Sequence, residues 1–293
     1  MMMMMMMISP PIRICMKFRS GECDLEAATF VKLGRHPGLV SYIGMCSTPT
    51  EQLILTEFAQ HGALSDVLEE KAENMMFMHK LIMMKQISSA MKALAEVGMV
   101  HRDLAARNVL VFEFDPANPH RTRVKVSDFG LSVSTYGRSH RTVAGNLLPF
   151  RWMSPEALEK RRFSEASDMW AMGVTMWEIM TGGKMPYAFT KNDDDVAEGV
   201  CAGTLKLSRP EGCPDSLWDL ISKCWEKDPK KRPSFVSLSS ALDGLDSGML
   251  CATLITLKVC SVPHSCCSFS RCTFTSYIHL LGRRRGFCTA QGS

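Results

Sequence analysis

His101-Arg102-Asp103-Leu104-Ala105-Ala106-Arg107-Asn108 is the stretch on which the reading of this 293-residue chain turns. It follows a run in which Met84, Ile87, Met91 and Leu94 recur at spacings of three and four, one face of a long helix. It precedes the apolar Val109-Leu110-Val111. Twenty residues after Asn108 comes Asp128-Phe129-Gly130, itself preceded by the strand-like Val124-Lys125-Val126. Two carboxylates and an amide thus fall on loops between strands. Such a set suits magnesium and phosphate, because Mg²⁺ takes oxygen ligands, keeps part of its water shell and needs few protein groups. An isolated Asp-Phe-Gly is an ordinary turn; it is the joint occurrence, in this order, that makes a site.

Working outward, the chain reads as an α+β fold with segregated halves. Ile12 to Phe18 is strand-like, Ser20-Gly21 is a turn signal, and Glu22 to Leu33 reads as a short helix with Leu25, Ala28 and Leu33 on or near its apolar face. Leu39 to Met45 and Leu53 to Phe58 read as two strands separated by Ser-Thr-Pro-Thr. After Gly62 the pattern becomes helical. The methionine-rich stripe around Met84 is core packing rather than a cofactor site. Phe112 to Arg123, with Asp115-Pro116 and Asn118-Pro119, reads as a surface insertion.

Composition agrees with a soluble globular protein: 46% hydrophobic, 22% charged, net charge +4. That charge is too small to point to nucleic acid or a membrane as the main partner. No apolar run spans a bilayer and no signal peptide is legible. The seven opening methionines read as an artefact of cloning or gene prediction, and residues 1–11 as an artefactual or disordered start. Six of the twelve cysteines lie after residue 250, in a tail with Arg283-Arg284-Arg285 and no acid after Asp246. Cys266-Cys267 with His264 is a weak match to metal-ligand spacing. Residues 246–293 are expected to lie outside the fold. The other cysteines read as reduced and buried, in a cytoplasmic protein.

These motifs resemble the protein kinase family from about Ile12 to Leu245. The catalytic loop matches H-R-D-x-x-x-x-N, and Asp128-Phe129-Gly130 matches D-F-G. Ser154-Pro155-Glu156 stands where the family has A-P-E, and Asp168-Met169-Trp170 with Gly173 resembles D-x-W-x-x-G. Cys224-Trp225, Asp228-Pro229 and Arg232-Pro233 resemble its closing motifs. The resemblance implies a two-lobe fold, with an incomplete strand-rich N-lobe over about 12–59 and a helical C-lobe over about 62–245. It implies ATP and Mg²⁺ as cofactors. Asp103 accepts or orients the proton of the substrate hydroxyl, with Arg107 as the nearby cation, and Asn108 and Asp128 hold the metal. His101 and Phe129 belong to a hydrophobic column linking the lobes. The same resemblance implies that Glu156 and Arg232 form a buried ion pair and that Asp168 holds the catalytic-loop backbone.

The resemblance also outlines a nucleotide pocket. Glu57-Phe58-Ala59 resembles the hinge whose backbone pairs with adenine, with Thr56 at the gatekeeper position and Leu110 beneath the ring. Glu26 matches the helix glutamate, and Phe30 shares its face. Lys17, ending Ile14-Cys15-Met16-Lys17, resembles the end of V-A-I-K, yet only eight residues separate it from Glu26, fewer than the family shows. An exposed edge-strand lysine is the other reading. Nothing before Lys17 fits the Gly-rich G-x-G-x-x-G loop. The strand at Ile12 is therefore expected to be a sheet edge, and the chain as given to be weakly active or inactive and poorly folded. In the activation segment, Tyr136, Ser139 and Thr142 are candidate phosphorylation sites, with Arg102 as the partner of a loop phosphate.

Two features point to tyrosine as the acceptor. Ala105 stands two residues after Asp103, where serine/threonine kinases usually carry a lysine, and the cation is Arg107 instead. Pro149-Phe150-Arg151-Trp152-Met153 resembles the tyrosine kinase P-x-K/R-W-M platform. The implied partners are ATP and proteins with tyrosine acceptors. A dual-specificity or serine/threonine enzyme, and a pseudokinase scaffold, remain the alternatives.

Overall fold

The computed structural model describes residues 3–8, 12–19, 23–47, 52–135, 141–142 and 148–245; for 3–8, 12–19, 23–25, 47 and 141–142 it describes the backbone alone. The cysteine-rich segment 246–293, with Cys266, Cys267 and His264, lies outside the described residues.

Strands β1 (Met3–Ile8), β2 (Ile12–Arg19), β3 (Tyr42–Ser47) and β4 (Gln52–Glu57) form one antiparallel sheet in the order β1-β2-β4-β3. Within the start read as artefactual or disordered, Met3–Ile8 pair with β2 from Met3 opposite Lys17 to Ile8 opposite Ile12. The strand at Ile12 is therefore interior, not an edge. Its outer row of N–H and C=O groups accepts any extended partner, since ladder bonds are made by the backbone. Helix α1 (Cys23–Leu33) packs against this sheet.

On α1 the buried face carries Glu26, Ala27, Thr29 and Phe30, whereas Ala28, expected on the apolar face, is exposed. The turn of 100° per residue sets Glu26, Phe30 and Leu33 in one stripe and Ala28 outside it. Leu39 also departs from expectation: the strand begins at Tyr42, while Leu39 bridges Val126. The Val40 amide donates to the Val126 carbonyl at 3.0 Å and the Val126 amide to Gly38 O at 2.8 Å. Backbone bonding to a distant strand has taken residues 38–40 out of the sheet. Gly38 suits the close approach there, because a Cβ would come to 3.0 Å from both the Ala90 side chain and the Gln86 carbonyl.

The remainder is helical. Helices α2 (Leu64–Lys71), α3 (Phe77–Glu96), α4 (Pro155–Lys160), α5 (Glu165–Thr181), α6 (Asp193–Ala202), α7 (Asp215–Cys224) and α8 (235–245) enclose the main core. Between α3 and α4 lie the short strands β5 (Met99–Val100), β6 (Val109–Glu113), β7 (Arg123–Val126), β8 (Val133–Ser134) and β9 (Arg141–Thr142); β10 (Arg162–Phe163) follows α4 and pairs with β9. Met84, Ile87, Met91 and Leu94 of α3 are fully buried, as one apolar stripe requires. Helix α5 is buried on every face from Ser167 to Met180 and forms the pillar of the larger half. The insertion between β6 and β7 is folded: Asn118 accepts from the His120 amide, and His79 of α3 bonds the Asp115 carbonyl at 2.9 Å. No helix among the described residues is long and apolar enough to cross a membrane.

Candidate active site

A cavity of about 350 Å³ opens between the sheet and the helical half. Glu26, Phe30, Ile54 and Thr56 line it from the sheet side, Leu110 and Val40 flank it, and Arg107, Asn108 and Asp128 line the opposite wall. Glu57 and Ala59 do not line it. The Glu57 carboxylate instead accepts from Lys125 Nζ at 2.5 Å and from the Ser41 amide at 2.7 Å, and Ala59 packs with Val40 and Phe112. Burial pushes the Glu57 carboxyl upward, but these hydrogen bonds outweigh it and leave it below the usual range. Lys17 is paired with Ile54 of β4, so its backbone runs alongside the cavity; its side chain lies outside the described residues.

The catalytic loop is bonded to the buried helix α5 at two points. Near the start of α5, the Asp168 carboxylate accepts from the His101 amide at 2.7 Å and the Arg102 amide at 3.0 Å. Near its end, Glu178 Oε2 accepts from the Ala106 amide at 3.0 Å. The same oxygen accepts from Trp152 Nε1 at 2.9 Å. Burial raises Asp168 to about 6 and Glu178 to about 7, against the lowering effect of these bonds. Ten residues of helix separate the two acids by about 15 Å, enough to hold the loop at both ends. Sequence reasoning passed over Glu178. A lone acid in the apolar run Met169 to Met180 was the available signal, because a buried carboxylate must find donors.

Within the loop, Arg107 pairs with the Asp103 carboxylate, and the Arg107 guanidinium lies 4.3 Å from the Trp152 ring centroid. Asn108 Nδ2 donates to the Asp103 carbonyl at 2.7 Å, and its Oδ1 makes no hydrogen bond among the described residues. That amide oxygen and the Asp128 carboxylate are hard oxygen donors on one cavity wall, and they fit a magnesium ion that keeps water and phosphate as its other ligands. Asp128 holds φ at 63°, and the Gly130 amide donates to its Oδ1 at 3.3 Å. A site of three or more His, Cys, Asp or Glu ligands is absent among the described residues.

An aromatic column rises beside the cavity. Tyr42 stacks on Phe30 at 5.5 Å, Phe30 meets Phe129 edge-on at 5.0 Å, and Phe129 meets His101 at 5.5 Å. His101 Nδ1 accepts from the Asp103 amide at 3.3 Å, so its Nε2 carries the proton and donates to the Ser127 carbonyl at 3.0 Å. One imidazole thereby joins the catalytic loop to the segment holding Asp128.

The platform before α4 is fixed by Arg151, which donates to the carbonyls of Pro186, Tyr187 and Thr190 and pairs with Asp193 at 2.7 Å. Behind it, Arg232 grips Glu156 through two parallel bonds of 2.7 and 2.8 Å. The Arg102 guanidinium lies 4.4 Å from the Phe163 ring centroid, and its Nη1 donates to the Leu131 carbonyl. Burial pulls its pKa down. Tyr136 and Ser139 lie outside the described residues. Thr142 pairs with Arg162 through β9, its side chain outside what is described.

Comparison with known proteins identifies a family. The family model for protein tyrosine and serine/threonine kinases matches residues 16–242. The tyrosine-protein kinase transforming protein Abl of Abelson murine leukemia virus is 39% identical over 220 residues, covering 75% of this chain and 28% of that protein. Tyrosine-protein kinase Abl of Drosophila melanogaster is 39% identical over 220 residues, covering 75% of this chain and 13% of its own length. The inactive tyrosine-protein kinase 7 of Gallus gallus is 38% identical over 225 residues, covering 74% of this chain and 21% of its own. The chain thus spans less than a third of each of these relatives. With a family model matching well over half of its residues, the chain belongs to the protein tyrosine and serine/threonine kinase family.

Proposed function

We propose that this chain transfers the γ-phosphoryl group of ATP to the hydroxyl of protein tyrosine residues. The observation that carries the reading is the Asp103–Arg107 pair resting on Trp152. The cation that steadies the carboxylate is Arg107, four residues on, and not a residue at the position of Ala105, which is the arrangement the tyrosine reading expects. Thr56 and Leu110, which line the cavity, would face adenine, and Asn108 Oδ1 and the Asp128 carboxylate would face the phosphates. Asn108 Oδ1 and the Asp128 carboxylate would hold magnesium there, and the ion would supply positive charge to offset that of the phosphates. Asp103 orients the acceptor hydroxyl and receives its proton. Asp168 and Glu178 keep the loop in place without reaching the substrate, so the protein lowers the barrier chiefly through positioning.

A non-catalytic binding role is the competing reading, since one relative is named an inactive kinase. The full chain, incubated with Mg-ATP and a mixed peptide library, is expected to place phosphate mainly on tyrosine, as read by phosphoamino-acid analysis. Asp103→Asn should remove most of the rate while leaving nucleotide affinity nearly unchanged, and Asp128→Asn should also weaken magnesium-dependent binding. Mostly phosphoserine and phosphothreonine would overturn the tyrosine assignment. Near-normal turnover in the Asp103 variant would overturn its role. Nucleotide binding without any transfer would favour the non-catalytic reading.

A further inference from the structure

We propose that Glu178 is a positioning residue for the acceptor tyrosine, holding the catalytic loop and the acceptor platform in register through one carboxylate oxygen. The inference rests on the tyrosine-transfer reading given above. Its basis is a continuous chain of contacts. Glu178 Oε2 accepts from the Ala106 backbone amide at 3.0 Å and from Trp152 Nε1 at 2.9 Å. The Trp152 ring lies 4.3 Å beneath the Arg107 guanidinium, and Arg107 pairs with Asp103. The indole has one donor, so its bond to Glu178 sets the plane on which the guanidinium rests. The two segments joined in this way are 46 residues apart in sequence, Ala106 on the loop and Trp152 on the platform.

The alternative account is that Glu178 only satisfies buried donors and stabilises the fold. The two accounts differ in what they predict for substrate kinetics. A purely structural carboxylate would lower stability and would affect ATP and peptide parameters alike. A positioning carboxylate acts on the wall where the phenol must sit, so the loss falls on the peptide.

Burial raises the Glu178 carboxyl to about 7, so its proton is held near neutrality. Both bonds go to Oε2, while Oε1 makes none among the described residues. A proton on Oε1 leaves the two bonds intact, and an amide can therefore replace the acid.

The test uses the full chain and three variants. Glu178→Leu removes the acceptor, Glu178→Gln keeps one carbonyl oxygen, and Trp152→Phe removes the indole donor. Peptide kcat/KM in Glu178→Leu is expected to fall roughly tenfold or more, the scale of losing two hydrogen bonds to a buried acceptor, while KM for ATP stays within about twofold. Glu178→Gln should stay within about threefold of wild type. Trp152→Phe should reproduce the peptide loss while the Ala106 amide remains protected from hydrogen exchange.

Two readouts do not depend on activity: exchange protection of the Ala106 amide and of the Trp152 indole N–H, both expected to be lost in Glu178→Leu and kept in Glu178→Gln. If Glu178→Leu fails to fold, Trp152→Phe and Glu178→Gln carry the test. Unchanged peptide kcat/KM in both Glu178→Leu and Trp152→Phe, or equal losses for ATP and peptide, would overturn the proposal. If wild type phosphorylates no tyrosine peptide, the tyrosine-transfer reading fails and the positioning proposal falls with it, whereas tyrosine transfer that is unchanged in the variants overturns the positioning proposal alone.

Discussion

Replacing Glu156 by alanine should be among the most destabilising single changes in the larger half. The Arg232 side chain is 0% exposed and Glu156 only 17%. Arg232 makes four bonds: two to the Glu156 oxygens at 2.7 and 2.8 Å, one to the Ala166 carbonyl at 2.7 Å and one to the Glu226 carbonyl at 2.8 Å. Its guanidinium also lies 5.0 Å from the Trp170 ring centroid. Removing the carboxylate leaves the buried positive charge with neutral carbonyls alone, a change that costs about 3–5 kcal/mol. For a domain of this size that shifts the melting temperature by on the order of 10 °C. Glu156→Gln keeps an acceptor but not the charge and should cost about half as much. Arg232→Lys keeps the charge but loses the fork that matches the carboxylate, so it should be nearly as costly as the alanine change. Urea unfolding followed by tryptophan fluorescence measures all three. A cost below about 1 kcal/mol for Glu156→Ala would refute the argument, because it would mean that water reaches the guanidinium and the pair is an ordinary surface contact.

Gly173→Ala should destabilise by about 1–2 kcal/mol, since the added Cβ would meet Trp225 Nε1 at 2.7 Å and Cys224 Cβ at 2.8 Å, and the gain in helix propensity offsets only part of the strain; unchanged urea stability would show that α7 shifts freely. Stability should also carry a negative pH contribution from Asp168 and Glu178. Their folded pKa values, about 6 and about 7, lie above the ordinary 3.8 and 4.5. The folded state therefore binds these protons more tightly, and the associated stability is full below about pH 4 and is lost as pH rises through 6 and then 7. In Asp168→Asn and Glu178→Gln, stability should fall less, or rise more, between pH 4 and 7 than in wild type. Parallel pH curves for variant and wild type would contradict the burial of these acids.

Much of the site could be read from local pattern because its signals are short and ordered along the chain. Asp103, Asn108 and Asp128 stand in motifs with fixed internal spacing, and all belong to the loop and segment on one side of the cavity. Glu178 was not legible in this way. A glutamate within Met172 to Met180 carries no periodic signal, and its donors lie at Ala106 and Trp152, far away in sequence. Lys125 was missed for the same reason: its ion pair with Glu57 joins residues 68 positions apart. The hinge reading named Glu57 for its backbone, whereas the position of its side chain followed from a partner that no local window contains.

Helix and strand identity in the larger half came from the chain itself. The period of Met84, Ile87, Met91 and Leu94 specifies a buried helical face whatever the neighbours are. Tertiary contacts decided the exceptions. Leu39 and Val40 have strand-like side chains, but their backbone is bonded around Val126, so β3 starts later. The methionine run at the start has no alternation to mark it, and it becomes a strand because β2 presents a row of backbone groups to be paired. Propensity is summed over neighbours along the chain, whereas backbone pairing, ion pairs and buried acids are settled by neighbours in space.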